Sequence, residues 1–254
     1  MANLRFYTNN SLSLGATIQL SESAAAHATK ALRLNVGDSA VVFNGDGFDY
    51  NCELTSVKKN EVLAKITAAK QISNESPLRI TLLQAISSGD RMDFTIQKAV
   101  ELGVTAIVPI SSTRSVVKLS AERAEKRVEH WQNVVNSACE QSGRAFVPKV
   151  FAPVHLSAWL QANNHAASGD AHLSTIIPTR ILLNPIGAQR LATMQKPSGN
   201  IELLIGAEGG LSQHEIDTAI ANGFQSIVLG ARILRTETAA LTAIAAMQTL
   251  WGDF

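Results

Sequence analysis

Short runs of alternating apolar and polar positions, separated by tight-turn sequences, fill the first part of the chain. Residues 16–20, 39–44, 48–57 and 61–66 carry the two-residue period of half-buried strands, with turns at Gly45-Asp46-Gly47 and Lys58-Lys59-Asn60. Residues 21–32 follow a helical period instead, opening on Ser21 as a helix cap and ending before Asn35-Val36-Gly37-Asp38. This pattern predicts a small β-barrel-like module. The polar stretch Ser73-Asn74-Glu75-Ser76-Pro77 breaks both periods and reads as a linker, which places one domain at residues 1–72 and a second at 78–254.

From Arg79 onward strand-like and helix-like patterns alternate. Strands are predicted at 80–86, 106–110, 147–151, 180–183, 201–205 and 226–229. Helices are predicted at 90–102, 120–141 and 155–162, from the Ser212 cap to 222, and at 239–251. Such alternation implies an α/β fold, a parallel sheet with helices on its faces. The polar segment 163–174 reads as a surface insertion. In the last helix Leu241, Ile244, Met247 and Leu250 recur at helical spacing, a stripe that suits the core or a subunit contact.

Composition narrows this picture modestly. A chain of 254 residues with 46% hydrophobic content supports one large or two ordinary buried cores. No apolar run approaches the ~18 residues of a membrane span, and the amino terminus has no apolar signal core, so a cytoplasmic location and no membrane partner are expected. Cys52 and Cys139 are far apart, and the six histidines are scattered, so free buried thiols and no metal site are expected. The net charge of +1 decides nothing about nucleic acid, because a phosphate backbone needs a local basic face.

Candidate chemistry gathers where two of the predicted strands end. Residues 201–205 run into Gly206-Ala207-Glu208-Gly209-Gly210, and 226–229 run into Gly230-Ala231-Arg232-Ile233-Leu234-Arg235-Thr236-Glu237-Thr238. In an α/β sheet, ligands bind beyond the carboxyl ends of the strands, where such loops meet. The first loop allows close backbone approach, and its one charge, Glu208, suits a cationic ligand group; the plainer alternative is a strand-to-helix turn. Ser212 and Glu215 form a capping box that fixes the start of the next helix. Neither a P-loop nor a dinucleotide fingerprint is present, so a phosphate ligand loses support. Leu229, Ile233 and Leu234 offer apolar walls and backbone groups suited to an adenine ring, while Glu237 either complements the helix dipole or serves the site.

These two loops, 205–212 and 229–239, closely resemble the signature of the RsmE family, bacterial 16S ribosomal RNA uracil-N3 methyltransferases of the SPOUT superfamily. The likeness extends through residues 27–38, through 91–103 with Lys98 and Glu101, through 111–117 with Arg114, and through Glu140-Gln141-Ser142 and Arg144. Ala207 departs from it, standing where the family usually has proline, and this should loosen the loop modestly.

The resemblance implies a SPOUT-type parallel sheet with a C-terminal trefoil knot, a PUA-like RNA-binding barrel before it, and a homodimer. S-adenosyl-L-methionine is the implied cofactor, bent within loops that supply Leu183, Asn184 and Pro185, then Ile205, Gly206, Ala207, Glu208, Gly209 and Gly210, then Leu229, Gly230, Ile233, Leu234, Arg235 and Thr236. The implied substrate is one uridine in the decoding region of 16S ribosomal RNA within the small subunit. Methylation at N3 requires removal of the imide proton, so Glu237 is the candidate acceptor, and Arg235, with Arg114 or Arg144, the candidate stabiliser of the uracil anion. Arg5, Lys30, Arg33, Arg91, Arg114, Lys118 and Arg144 are expected to contact RNA. Two alternatives stay open: another RNA as substrate, such as the ribose 2′-oxygen of transfer RNA, and a non-catalytic ribosome-assembly factor that binds RNA.

Overall fold

A computed structural model describes residues 4–59, 61–115, 120–163, 177–184 and 189–254. Strands β1 (Arg5–Tyr7), β2 (Thr17–Gln19), β3 (Ser39–Phe43), β4 (Phe48–Lys58) and β5 (Glu61–Gln71) form one sheet in the order β1-β3-β4-β5-β2. Alternation in β4 turns Tyr50, Cys52 and Leu54 inward and leaves Asn51, Glu53 and Thr55 exposed. Phe6, Val42, Leu54, Val62 and Ile66 fill the core beneath the sheet. Register shifts at Asn51/Cys52 and Leu54/Ser56 mark bulges in the long β4–β5 ladder, a device that bends paired strands.

The expected single helix over 21–32 is in two parts. Helix α1 (Glu22–Ala26), capped by the Ser21 hydroxyl accepting from the Ala24 N–H at 3.2 Å, widens into a π-helical turn at His27–Ala31. Arg33 then takes a left-handed φ of 53°.

This first unit comprises Met1–Glu75 and, from much later in the chain, Asn136–Val147. Helix α3 (Ala121–Ser142) delivers that second piece, which a single division of the sequence at the linker leaves out. Buried charges fasten it. Arg5 pairs with Asp49 and donates to the Arg144 carbonyl at 3.0 Å, and its guanidinium lies 4.5 Å from the centre of the Phe43 ring. Arg144 grips Glu75 through Nε at 3.0 Å and Nη2 at 2.5 Å. With side chains only 8% and 6% exposed, Arg5 and Arg144 are structural ties and not the free basic surface expected for RNA. The two cysteines are buried free thiols in the same unit, and burial pushes Cys52 up to about 11 and Cys139 to about 12.

The second unit, Ser76–Val135 with Pro148–Phe254, is built on an eight-stranded sheet. Its strands are β6 (Ile80–Ala85), β7 (Ala106–Ser111), β8 (Lys149–Val150), β9 (Val154–His155), β10 (Thr179–Leu183), β11 (Gln189–Arg190), β12 (Ile201–Ile205) and β13 (Phe224–Val228). The order is β11-β13-β10-β12-β6-β7-β8, with β9 also on β7, and every pairing is parallel. Helices α2 (Asp90–Glu101), α4 (Leu156–Ala162), α5 (Gln213–Ala221) and α6 (Thr236–Trp251) complete it. Helix α2 buries Met92, Ile96, Ala99 and Val100 on one stripe and packs against α6. In α6 the buried stripe runs through Ala240, Ala243, Ile244 and Met247, so Leu250 of the expected stripe is instead 46% exposed.

Chain order along this sheet reverses between β6 and β12. From β6 the chain proceeds outward through β7 and β8, whereas β10, β12 and β13 lie on the opposite side. β10 lies between β12 and β13, and the loops leaving the carboxyl ends of these strands border a crevice, the place where ligands bind in such sheets. The expected insertion at 163–174 falls outside the described residues except for Asn163, as do Lys118 and Pro185. No helix among the described residues is long and apolar enough to cross a membrane.

Candidate active site

The crevice is a cavity of about 730 Å³. Its walls come from the ends of β10, β12 and β13, from the loops after β12 and β13, and from the start of α6, with Arg91 and Arg114 at its border. Buried Ile205, Leu211 and Ile227 give it an apolar floor, and Gly206, Gly209, Gly210 and Gly230 bring backbone to its wall.

The loop after β12 is drawn tight on itself. Gly210 donates its N–H to the Ala207 carbonyl at 2.9 Å, closing a turn around Glu208 and Gly209. A Cβ on Gly206 would come within 2.9 Å of the Gly210 carbonyl carbon and the Leu211 nitrogen, so only glycine fits there. Gly210 itself needs a φ of +67°. Beyond the turn the capping box forms as expected: the Glu215 N–H donates to the Ser212 hydroxyl at 3.3 Å, and Glu215 Oε2 accepts the Ser212 N–H at 2.8 Å. Glu215 Oε1 also accepts the Thr113 N–H at 2.7 Å, tying the loop after β7 to α5. Burial works against this carboxylate, yet the donors from Ser212 and Thr113 outweigh it and hold its pKa below the ordinary range.

Glu208 is engaged within the protein through one carboxylate oxygen. One of its oxygens accepts from the Ser88 N–H at 2.8 Å, the Ser88 hydroxyl at 2.8 Å and Arg91 Nη1 at 3.0 Å. Against partial burial, these bonds lower its pKa. Arg114 reaches the same loop, donating from Nη1 to the Gly209 carbonyl at 3.1 Å. Two arginines expected at the RNA thus hold the Glu208-Gly209 turn, one from the start of α2 and one from the loop after β7.

The loop after β13 meets the first through Thr236, whose hydroxyl donates to the Gly206 carbonyl at 2.6 Å. Ile233, expected in an adenine wall, lines the cavity and is 86% exposed, while Leu229 and Leu234 beside it are partly buried. Arg235 occupies the cap position of α6 with its side chain exposed and making no capping bond. Glu237, in the first turn of α6, has a buried carboxylate oxygen, Oε2, without a hydrogen-bond partner among the described residues.

Apart from Pro185, every residue expected to bind the cofactor lines this cavity, as do Arg114, Arg235 and Glu237. Lys30 and Arg33 are exposed in the first unit. Ser88, Gln213 and Ile216 were not anticipated, since their nearness to the site is created by the β6–β12 pairing and the α5 cap. Among the described residues no three His, Cys, Asp or Glu side chains converge as metal ligands.

The RNA methyltransferase domain family matches residues 74–248, which carry this sheet and cavity, and the RNA methyltransferase PUA domain family matches residues 20–67. Ribosomal RNA small subunit methyltransferase E of Buchnera aphidicola subsp. Acyrthosiphon pisum is 32% identical, over 98% of this chain and 94% of its own. The protein of that name from Bacillus subtilis is 32% identical over 93% of each chain. The chain belongs to the ribosomal RNA small subunit methyltransferase E family. Among solved structures, that enzyme from Neisseria gonorrhoeae, bound to S-adenosyl methionine, is 44% identical with a TM-score of 0.87, covering 99% of each chain. A Legionella pneumophila putative methyltransferase in complex with the same cofactor is 34% identical with a TM-score of 0.90, covering 100% of each.

Proposed function

We propose that this chain transfers a methyl group from S-adenosylmethionine to N3 of one uridine in the decoding region of 16S ribosomal RNA, within the small subunit. The observation that carries the reading is the glycine-walled cavity at the carboxyl ends of β10, β12 and β13. Its volume falls within the roughly 300–1,000 Å³ of small-molecule sites, and an apolar floor beside backbone donors and acceptors suits an adenosyl group. Similar chains from Neisseria gonorrhoeae and Legionella pneumophila are described with this cofactor bound, and the curated relatives are named for small-subunit ribosomal RNA.

Bound there, S-adenosylmethionine supplies a methyl group on a positively charged sulfur. Uracil N3 has no free in-plane lone pair until its proton leaves. Glu237, which lines the cavity, takes that proton, and Arg235 at the mouth meets the negative charge that spreads onto the uracil oxygens. Arg114 keeps the cofactor loop closed through Gly209. Lys30 and Arg33, both exposed, provide backbone contacts to RNA, with Arg91 available at the cavity border.

In this reading the C-terminal domain carries a trefoil knot, at which the loops after β10, β12 and β13 meet one cofactor. The working unit is a homodimer. Ile233, 86% exposed beside the cavity, is an apolar side chain that a second copy would cover. A ribosomal substrate places the protein in the cytoplasm.

Calorimetric titration of the full chain with S-adenosylmethionine, alongside light scattering, tests this. Saturable one-to-one binding per protomer in a particle of twice the chain mass is expected. Absence of binding at millimolar cofactor overturns the methyl-transfer reading, and a monomer overturns the dimer.

A further inference from the structure

Gln84 lies near the end of β6, level with Ile205 of β12, and is fully buried at 0% exposure within an apolar strand. A buried amide is unfavourable unless its hydrogen bonds are made. Its Nε2 donates to the Ala85 carbonyl and to the Thr236 hydroxyl, both at 3.0 Å. The orientation of the amide follows from the hydroxyl: Thr236 gives its one proton to the Gly206 carbonyl, so toward Gln84 it can only accept. Gln84 Oε1 is left buried with no partner among the described residues.

We propose that Gln84 is a positioning residue that sets the cofactor pocket by locking the two loops together through the Thr236 hydroxyl. This rests on the reading of the cavity as the S-adenosylmethionine site. The order of the bonds fixes the order of action. Gln84, anchored on a central strand, orients the Thr236 hydroxyl; the hydroxyl then pins the Gly206 carbonyl; and Gly206 is the hinge at which the first loop leaves β12. Thr236 is also the first residue of α6, so the same hydroxyl fixes where the second loop ends. An apolar residue would fill this strand position without an orphaned oxygen, but it would not make the lock.

Preorganisation of this kind shows in ligand affinity more than in fold. Gln84→Met keeps the side-chain length and removes both the donor and the orphaned acceptor. The full chain carrying it should melt at or above the wild-type temperature and bind S-adenosylmethionine about tenfold more weakly, while the KM for RNA stays unchanged. Thr236→Val should weaken the cofactor to a similar extent, and Thr236→Ser should recover most of the loss. The double variant Gln84→Met with Thr236→Val should be no worse than the weaker single variant, since both cut one chain of bonds. Additive losses, or a fall in melting temperature with cofactor affinity intact, would mean that Gln84 only fills the core. Were the wild-type chain itself not to bind, the fault would lie with the functional reading and not with this lock.

Discussion

Replacing Gly206 by alanine should open the cofactor loop while sparing the fold. The added Cβ would stand 2.9 Å from the Gly210 carbonyl carbon, 2.9 Å from the Leu211 nitrogen and 3.0 Å from Gly210 Cα. All are backbone atoms in a turn closed by its own hydrogen bond, so no side chain can swing aside. Overpacking of this sort costs about 1–3 kcal/mol. A loop at the rim of an open cavity relieves the clash by moving, and cofactor binding must then push it back. About 2 kcal/mol of that cost corresponds to roughly a thirtyfold rise in Kd for S-adenosylmethionine, with a melting temperature shifted by less than about 4 °C. Neighbouring glycines supply the controls. At Gly209 a Cβ meets Arg114 Cβ at 3.2 Å and Arg114 Cδ and backbone oxygen at 3.6 Å, a milder crowding that a shift of a few tenths of an ångström relieves, so Gly209→Ala should cost threefold or less. At Gly210 the space is open but φ is +67°, and the strain of about 1–2 kcal/mol predicts roughly a tenfold loss. Calorimetry of the three variants against wild type decides the matter. A Gly206→Ala chain binding within twofold of wild type would refute the reasoning, as would a ranking with Gly209→Ala worst.

Further expectations concern the charges. Arg144→Met should lower thermal stability by breaking the buried grip on Glu75, whereas Lys30→Ala and Arg33→Ala should weaken RNA binding and flatten its salt dependence without moving the melt. Glu215 has a lowered pKa in the folded chain, so its stabilisation is complete above the ordinary glutamate range near ~4.3 and is lost as pH falls below that range. Urea denaturation should show Ser212→Ala weaker by about 1 kcal/mol at pH 7, and Glu215→Gln should abolish part of the acid sensitivity. With Cys139 raised to about 12 and Cys52 to about 11, neither thiol should react with iodoacetamide at pH 8 until the chain is unfolded. Glu237→Gln and Arg235→Ala, assayed at saturating cofactor, should each cut turnover at least about a hundredfold; unchanged turnover in both removes their assignments.

Local signals carried much of this structure. The strand-to-helix loops, the Ser212-Glu215 cap and the inward face of β4 are all short-range patterns, and each formed at its expected place. What the sequence hid depends on pairings between distant segments. A guanidinium looks the same in a sequence whether it meets solvent or a buried carboxylate, so Arg5 and Arg144 read as surface charge until Asp49 and Glu75 are found beside them. Glu208 looked free because Ser88 and Arg91 reach it only once β6 lies next to β12. Gln84 carries no local signal in the sequence, since its meaning lies in Thr236, more than a hundred residues away. The boundary of the first unit was incomplete for the same reason: a helix running on from elsewhere returns Asn136–Val147 to it.

The central claim is methyl transfer to one base. Small ribosomal subunits from cells lacking this protein, incubated with the purified chain and isotopically labelled S-adenosylmethionine, can be digested and mapped by mass spectrometry. Label on a single uridine of 16S ribosomal RNA, retained by the base as N3-methyluracil after the sugar is removed, is the predicted result. Label on a ribose, or none on any nucleotide of the subunit, would contradict the account.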